Sequence, residues 1–192
     1  METVKYGYLE IILGPMFSGK TPKLIEIYKQ YKFCNIEVLV VNHAEDTRYA
    51  EKNMYTHDKN SIECIKTKSL ESFMYDNIDK FTSHEPLAIL INEGQFFPDL
   101  YASVHKMIKE YNSHVYIAGL DGDFRQEKFG RILDLIPLCD KVYKLHSLCV
   151  GCKNGAKAIF SHKKNSSNGE QKQIGAEELY EPLCRSCFVK AH

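Results

Sequence analysis

The chain has 192 residues, 44 % of them hydrophobic, and its 25 Lys+Arg balance 25 Asp+Glu. That length and apolar content support one packed core with a small appendage and make disorder not the default. Zero formal net charge argues against a dedicated nucleic-acid binder, and no segment has the apolar length of a membrane span or a secretory signal, so a soluble cytoplasmic protein with no nucleic-acid or membrane partner is expected.

Residues before Tyr8 read as a lead-in. Tyr8 to Leu13 is an apolar run of strand length. Gly14-Pro15-Met16-Phe17-Ser18-Gly19-Lys20-Thr21 follows and fits G-x-x-x-x-G-K-[ST], the phosphate-binding loop. Its glycines let successive backbone N–H groups face one anion. The next helix directs its positive end there, Lys20 adds a charge for the β and γ phosphates, and the Thr21 hydroxyl can ligate Mg²⁺. Leu24, Ile27, Tyr28 and Tyr31 recur at helical spacing, which completes the strand–loop–helix setting.

Glu37 to Asn42 predicts a second buried strand, and His43 to Asn60 a long polar loop of a kind that often carries function. Ile62 to Thr67 reads as a short strand and Leu70 to Tyr75 as a short helix. Leu87 to Asn92 is a third apolar strand, and Asp99 to Tyr111 is helical, with Leu100, Val104, Met107, Ile108 and Tyr111 on one side. His114 to Leu120 and Lys141 to Leu145 supply a fourth and a fifth strand. Alternating strands and helices imply an α/β fold: a mostly parallel sheet with helices on both faces and ligands gathered at the carboxyl ends of its strands. Those ends carry Gly14, the loop from His43 to Arg48, Asn92-Glu93 and Asp121.

From Cys149 onward the character changes to short elements, with a boundary expected near Ser147 between residues 1–147 and 148–192. Cys149-x-x-Cys152 and Cys184-x-x-Cys187 form two identical pairs among seven cysteines. Four thiolates around one tetrahedral ion make a closed, structural zinc site, and the long interval predicts a hairpin or loop inserted between the pairs. Cys34, Cys64 and Cys139 read as small buried hydrophobes.

With Gly14 to Lys20, Asp46-Thr47-Arg48-Tyr49, Thr56-His57-Asp58, Glu93-Gly94-Gln95-Phe96-Phe97, Leu120-Asp121-Gly122-Asp123-Phe124, Phe129-Gly130, Ile174-Gly175, Tyr180 and the four cysteines assembled, the chain resembles the zinc-containing, phosphate-loop (type II) thymidine kinases from about Tyr8 to Phe188. The resemblance implies a kinase domain followed by a zinc-ribbon-like domain that carries a lasso loop. ATP would be held by Gly14 to Thr21 with Asp46, Thr47, Arg48, Asn92 and Gln95. Glu93 would take the proton of the nucleoside 5′-hydroxyl. Met16, Leu120, Phe124 and Tyr180 would enclose thymidine, and the lasso Gln171, Lys172, Gln173, Ile174 and Gly175 would read the base through its backbone. The resemblance also implies catalytic Mg²⁺, structural Zn²⁺, a homotetramer and feedback inhibition by thymidine triphosphate (dTTP).

Three positions depart from the family pattern. Pro22 stands where a Ser or Thr is expected, so an N–H facing the α-phosphate and a hydroxyl are both absent. A hydrogen bond to a charged group contributes about 1.5–3 kcal/mol, which predicts ATP binding weaker by roughly ten- to a hundredfold. Asn92 replaces an Asp and keeps an acceptor oxygen without its charge, and Lys163 stands where relatives often carry Arg. These changes open a second reading, a weakened or inactive nucleotide-binding relative. A zinc-ribbon ATPase driven by nucleic acid is a third, which the charge balance opposes.

Overall fold

The computed structural model describes residues 7–44, 53–55, 61–83, 85–164 and 179–191, with backbone alone for 53–55 and 61. In chain order the elements are β1 (Tyr8–Leu13), α1 (Lys20–Phe33), β2 (Glu37–His43), β3 (Asn53–Tyr55), β4 (Ser61–Glu63), β5 (Ile65–Thr67), α2 (Leu70–Asp76), α3 (Ile78–Thr82), β6 (Leu87–Asn92), α4 (Leu100–Lys109), β7 (His114–Gly119) and β8 (Lys141–Lys144). The C-terminal lobe adds β9 (Ser147–Leu148), β10 (Lys157–Ala158), β11 (Phe160–Lys163), β12 (Tyr180–Leu183) and α5 (Arg185–Ala191).

Six strands form one sheet in the order β5-β2-β6-β7-β1-β8, and every neighbouring pair in it is parallel. The central strands are apolar on both sides because both faces are covered. On one face Leu24, Ile25 and Ile27 of α1 pack on Ile12, Val40, Ala88, Leu90 and Ala118. On the other, α2, α3 and α4 bury Phe73, Phe81, Leu100, Val104 and Met107 against Leu9, Ile11, Ile89, Ile91 and Ile117. Two antiparallel ladders, β9–β10 and β11–β12, build the C-terminal lobe.

The structure revises the expected elements in four places. The run from Ile62 to Thr67 is two strands that break at buried Cys64; β4 pairs antiparallel with β3, inside the stretch expected to be loop, and β5 joins the main sheet. The helix α3 was not predicted; it is five residues long and buries Phe81 alone. A 3-10 segment, Ile132–Leu138, buries Ile132 and Leu135 at a three-residue spacing that a search for 3.6-residue periodicity passes over. Cys34 lies exposed just past the end of α1, not buried, whereas Cys64 is buried and burial raises the half-buried Cys139 thiol. No helix among the described residues is long and apolar enough to cross a membrane.

Candidate active site

The phosphate loop leaves β1 at the carboxyl edge of the sheet. Gly14 is required by close approach: a Cβ there would lie 2.7 Å from Ser18 Oγ and 2.8 Å from the Leu145 carbonyl oxygen. Gly19 caps α1 in the left-handed region at φ 84°, which glycine alone adopts without strain. Lys20 Nζ donates to the carbonyls of Gly14 (3.1 Å) and Pro15 (2.7 Å), so its ammonium lies over the loop. Ser18 Oγ is buried and has no hydrogen-bond partner among the described residues. A buried hydroxyl without a partner is unfavourable unless a ligand supplies one, and phosphate oxygens are the acceptors that suit this cradle. Pro22 is exposed in the first turn of α1, and Lys23 N–H makes the helical bond to Gly19 O at 3.1 Å. The proline therefore leaves the helix intact and removes an N–H donor and a hydroxyl.

At the end of β6, two strands away from β1, the chain turns sharply. Glu93 sits in the left-handed region at φ 54° and is 9 % exposed. Its Oε2 accepts from Gln95 Nε2 at 2.6 Å, and Gln95 Oε1 in turn accepts from Leu120 N–H at 3.0 Å. The side chain of Gln95, a residue the resemblance assigns to the nucleotide, spans from Glu93 to the end of β7. Asn92 donates to Asn42 Oδ1 at 3.3 Å, and that oxygen also accepts from His43 N–H, which fixes the orientation of both amides.

The residues expected to enclose the nucleoside come from parts of the chain far apart in sequence. Asp121 pairs with Lys144 across the tip of β1. Asp123 Oδ1 caps its turn by accepting from Arg125 N–H (2.8 Å) and Glu127 N–H (2.9 Å). Phe124 presents its ring to the ammonium of buried Lys163, 5.3 Å from the ring centre. Lys163 pairs in register with Tyr180, whose phenol is raised first by burial and then by the charge of Asp123. Sequence reasoning missed Ser161: its buried Oγ accepts from Met16 N–H at 3.0 Å and so ties the phosphate loop to β11. A lone serine near a cysteine-rich segment carries no sequence signal of that contact. Met16 is thus tied to Ser161, Leu120 to Gln95, and Phe124 and Tyr180 to Lys163. Asp46, Thr47 and Arg48, and the lasso Gln171, Lys172, Gln173, Ile174 and Gly175, lie outside the described residues.

The Sγ atoms of Cys149, Cys152, Cys184 and Cys187 lie within 4.8 Å of one another. A tetrahedral zinc ion, ~2.3 Å from each sulfur, would set them ~3.8 Å apart, so the donor set fits. Burial opposes ionisation of Cys149, but amides led by those of Cys152 and Cys184 outweigh it and hold that thiol at about 6. Cys187 is pushed up to about 12, chiefly by its contact with the Cys184 sulfur. Four thiolates this close repel one another unless a cation sits among them.

The family model described as "TK: Thymidine kinase" matches residues 7–188. The chain is 40 % identical over 190 residues to the thymidine kinase of Bacteroides thetaiotaomicron, covering 99 % of this chain and 91 % of the relative. It is 38 % identical over 183 residues to the Sheeppox virus (strain KS-1) thymidine kinase, covering 95 % and 97 %. Against the Vaccinia virus (strain Western Reserve) thymidine kinase it is 34 % identical over the same length and shares.

Proposed function

The chain belongs to the thymidine kinase family, and on that premise we propose that it transfers the γ-phosphate of ATP to the 5′-hydroxyl of thymidine, giving thymidine monophosphate for DNA precursor salvage. The observation that carries the reading is the match of that family across residues 7–188. It favours an active kinase over an inactive relative or a nucleic-acid-driven ATPase.

The loop Gly14 to Thr21 binds the triphosphate, with Lys20 neutralising charge and Ser18 Oγ donating. Thr21 and Asn92, with the neutral oxygens they carry, would hold Mg²⁺, which when bound spreads the charge of the β and γ phosphates. Glu93 orients the 5′-hydroxyl and accepts its proton as the phosphoryl group moves; such a base contributes about 10²–10⁴ in rate. Met16, Leu120, Phe124 and Tyr180 exclude water around the nucleoside, which restrains wasteful hydrolysis of ATP. Asp46, Thr47 and Arg48 extend the phosphate contacts, and residues 171–175 read the base.

We take residues 1–147 as the kinase part and 148–192 as the zinc and lasso part. The four cysteines would hold Zn²⁺ as a structural ion. A reducing, cytoplasmic setting follows from thiols used as ligands and not as disulfides. A homotetramer and inhibition by dTTP complete the reading. The test is phosphorylation of a nucleoside panel with ATP and Mg²⁺, beside Glu93→Gln. Thymidine-dependent release of ADP that falls by about 10²–10⁴ in that variant is the expected result. Absence of thymidine-dependent turnover at saturating Mg²⁺ overturns it.

A further inference from the structure

Gln95 is 3 % exposed, and the orientation of its amide is not a matter of choice. The Leu120 N–H that meets one end can only donate, so that end is the carbonyl oxygen. The other end, the NH₂ group, therefore faces Glu93 Oε2 at 2.6 Å. The residue is closely packed as well. A Cβ on Gly119 would lie 2.5 Å from Gln95 Oε1, and one on Gly130, which sits at φ 60°, would lie 2.2 Å from the Gln95 main-chain oxygen. Glycine at both positions lets the Gln95 amide and backbone sit where they do.

From this geometry we infer that Gln95 is a positioning residue, whose amide aims the Glu93 carboxylate and references it to the Leu120 end of β7. The inference rests on the reading of Glu93 as the base. A carboxylate in a left-handed turn, nearly removed from water, needs a donor to hold its charge and its rotamer. A neutral amide donates to that charge and fixes the rotamer without adding a formal charge of its own. Because its far end is bonded to Leu120, at the substrate wall, the same amide sets the distance between base and nucleoside. A displacement of about 1 Å at such a site costs about a hundredfold in rate.

The test is a double-mutant cycle on the full-length protein, read as kcat and thymidine KM, with thermal melting as the folding control. Gln95→Glu keeps an acceptor for Leu120 N–H and replaces the donor to Glu93 by a repelling oxygen. A purely structural role survives that exchange; a positioning role does not. We expect kcat to fall by about a hundredfold with thymidine KM changed less than about threefold. In the Glu93→Gln background the same substitution should change the residual kcat less than about twofold, because the two residues act as one unit. Gln95→Met carries the same cycle if the first variant does not fold. Wild-type kcat in Gln95→Glu or Gln95→Met, beside a crippled Glu93→Gln, overturns this inference and leaves the base reading standing. So does an equal loss in both backgrounds. Full activity in Glu93→Gln removes the base reading, and this inference with it.

Discussion

The sheet region and the cysteine lobe are held together by different physics. The six-stranded sheet buries apolar side chains on both faces, with Leu9, Ile11, Ile12, Ile89, Leu90, Ile91 and Ile117 fully removed from water. The lobe from β9 to α5 has a core of Cys149, Ala158, Leu183 and Phe188, and two of its ladders have only two strands each. So small a core does not order its own backbone. The first region is stable through burial, and the second adds to its small core four sulfurs placed where one ion would fit. The two regions meet where Ser161 Oγ of the lobe accepts from Met16 N–H of the phosphate loop.

The largest effect that separates them is metal removal. Zinc bound to such a peptide contributes ~10–16 kcal/mol of folding free energy. Chelation should therefore raise hydrogen exchange across residues 147–164 and 179–191 while β6 and β7 stay protected. Equal exchange before and after chelation would show that the lobe folds without its ion. The converse substitution is Ile89→Ala. Its side chain is 0 % exposed, and truncation should cost about 2–5 kcal/mol in denaturant unfolding of the sheet. Zinc affinity should stay unchanged; a weaker zinc site in Ile89→Ala would mean that the two regions share one cooperative unit.

The same contrast governs what was legible in the chain. The sheet declares itself through unbroken apolar runs such as Leu87 to Ile91, because a strand covered on both faces has no polar side to write. The phosphate loop and the cysteine pairs are legible because each has the residue spacing that one anion or one tetrahedral ion requires. Three things were not. The 3-10 segment at Ile132–Leu138 has a period that helix patterns miss. The break at Cys64 follows from strand order, a property of the whole sheet. The contacts of Ser161 and Gln95 join residues 145 and 25 positions from their partners, and no local pattern records such a bond. Resemblance named Gln95 for the nucleotide; its bond to Glu93 comes from geometry alone.

Between the regions lie two substitutions of middle size. Pro22→Ser restores an N–H and a hydroxyl in the first turn of α1, where Lys23 already makes the helical bond. ATP KM should fall by roughly ten- to a hundredfold, with thymidine KM unchanged. Unchanged ATP KM would show that the loop does not use that donor. Ser161→Ala leaves the partly buried Met16 N–H without its acceptor, at a cost of about 1–3 kcal/mol. Because the bond joins both regions, KM for ATP and for thymidine should rise together, and Ser161→Thr should restore both. A rise in one alone would assign Ser161 to that substrate only.

The smallest effect is in the sheet region at high pH. Tyr8, Tyr31 and Tyr116 line one face of β1 and β7 beside the buried Glu10; Tyr31 bonds to Tyr116 at 2.7 Å, and Tyr8 donates to Glu10 at 3.0 Å. Burial raises all three phenols, and the Glu10 hydrogen bond and charge help push Tyr8 to about 12. A phenol whose folded value is raised leaves stability untouched below its unfolded value near 10. Above that pH the unfolded chain ionises first, so stability falls between about pH 10 and 12. Tyr116→Phe should lower stability at neutral pH by about 1 kcal/mol through the lost bond. It should also make the alkaline decline shallower, by at most about 1.4 kcal/mol per pH unit. The slope is the diagnostic, since a lost hydrogen bond alone lowers the curve without tilting it. A parallel curve would show that these phenols ionise alike in the folded and unfolded chain, and would leave alkaline unfolding to some other part of the molecule.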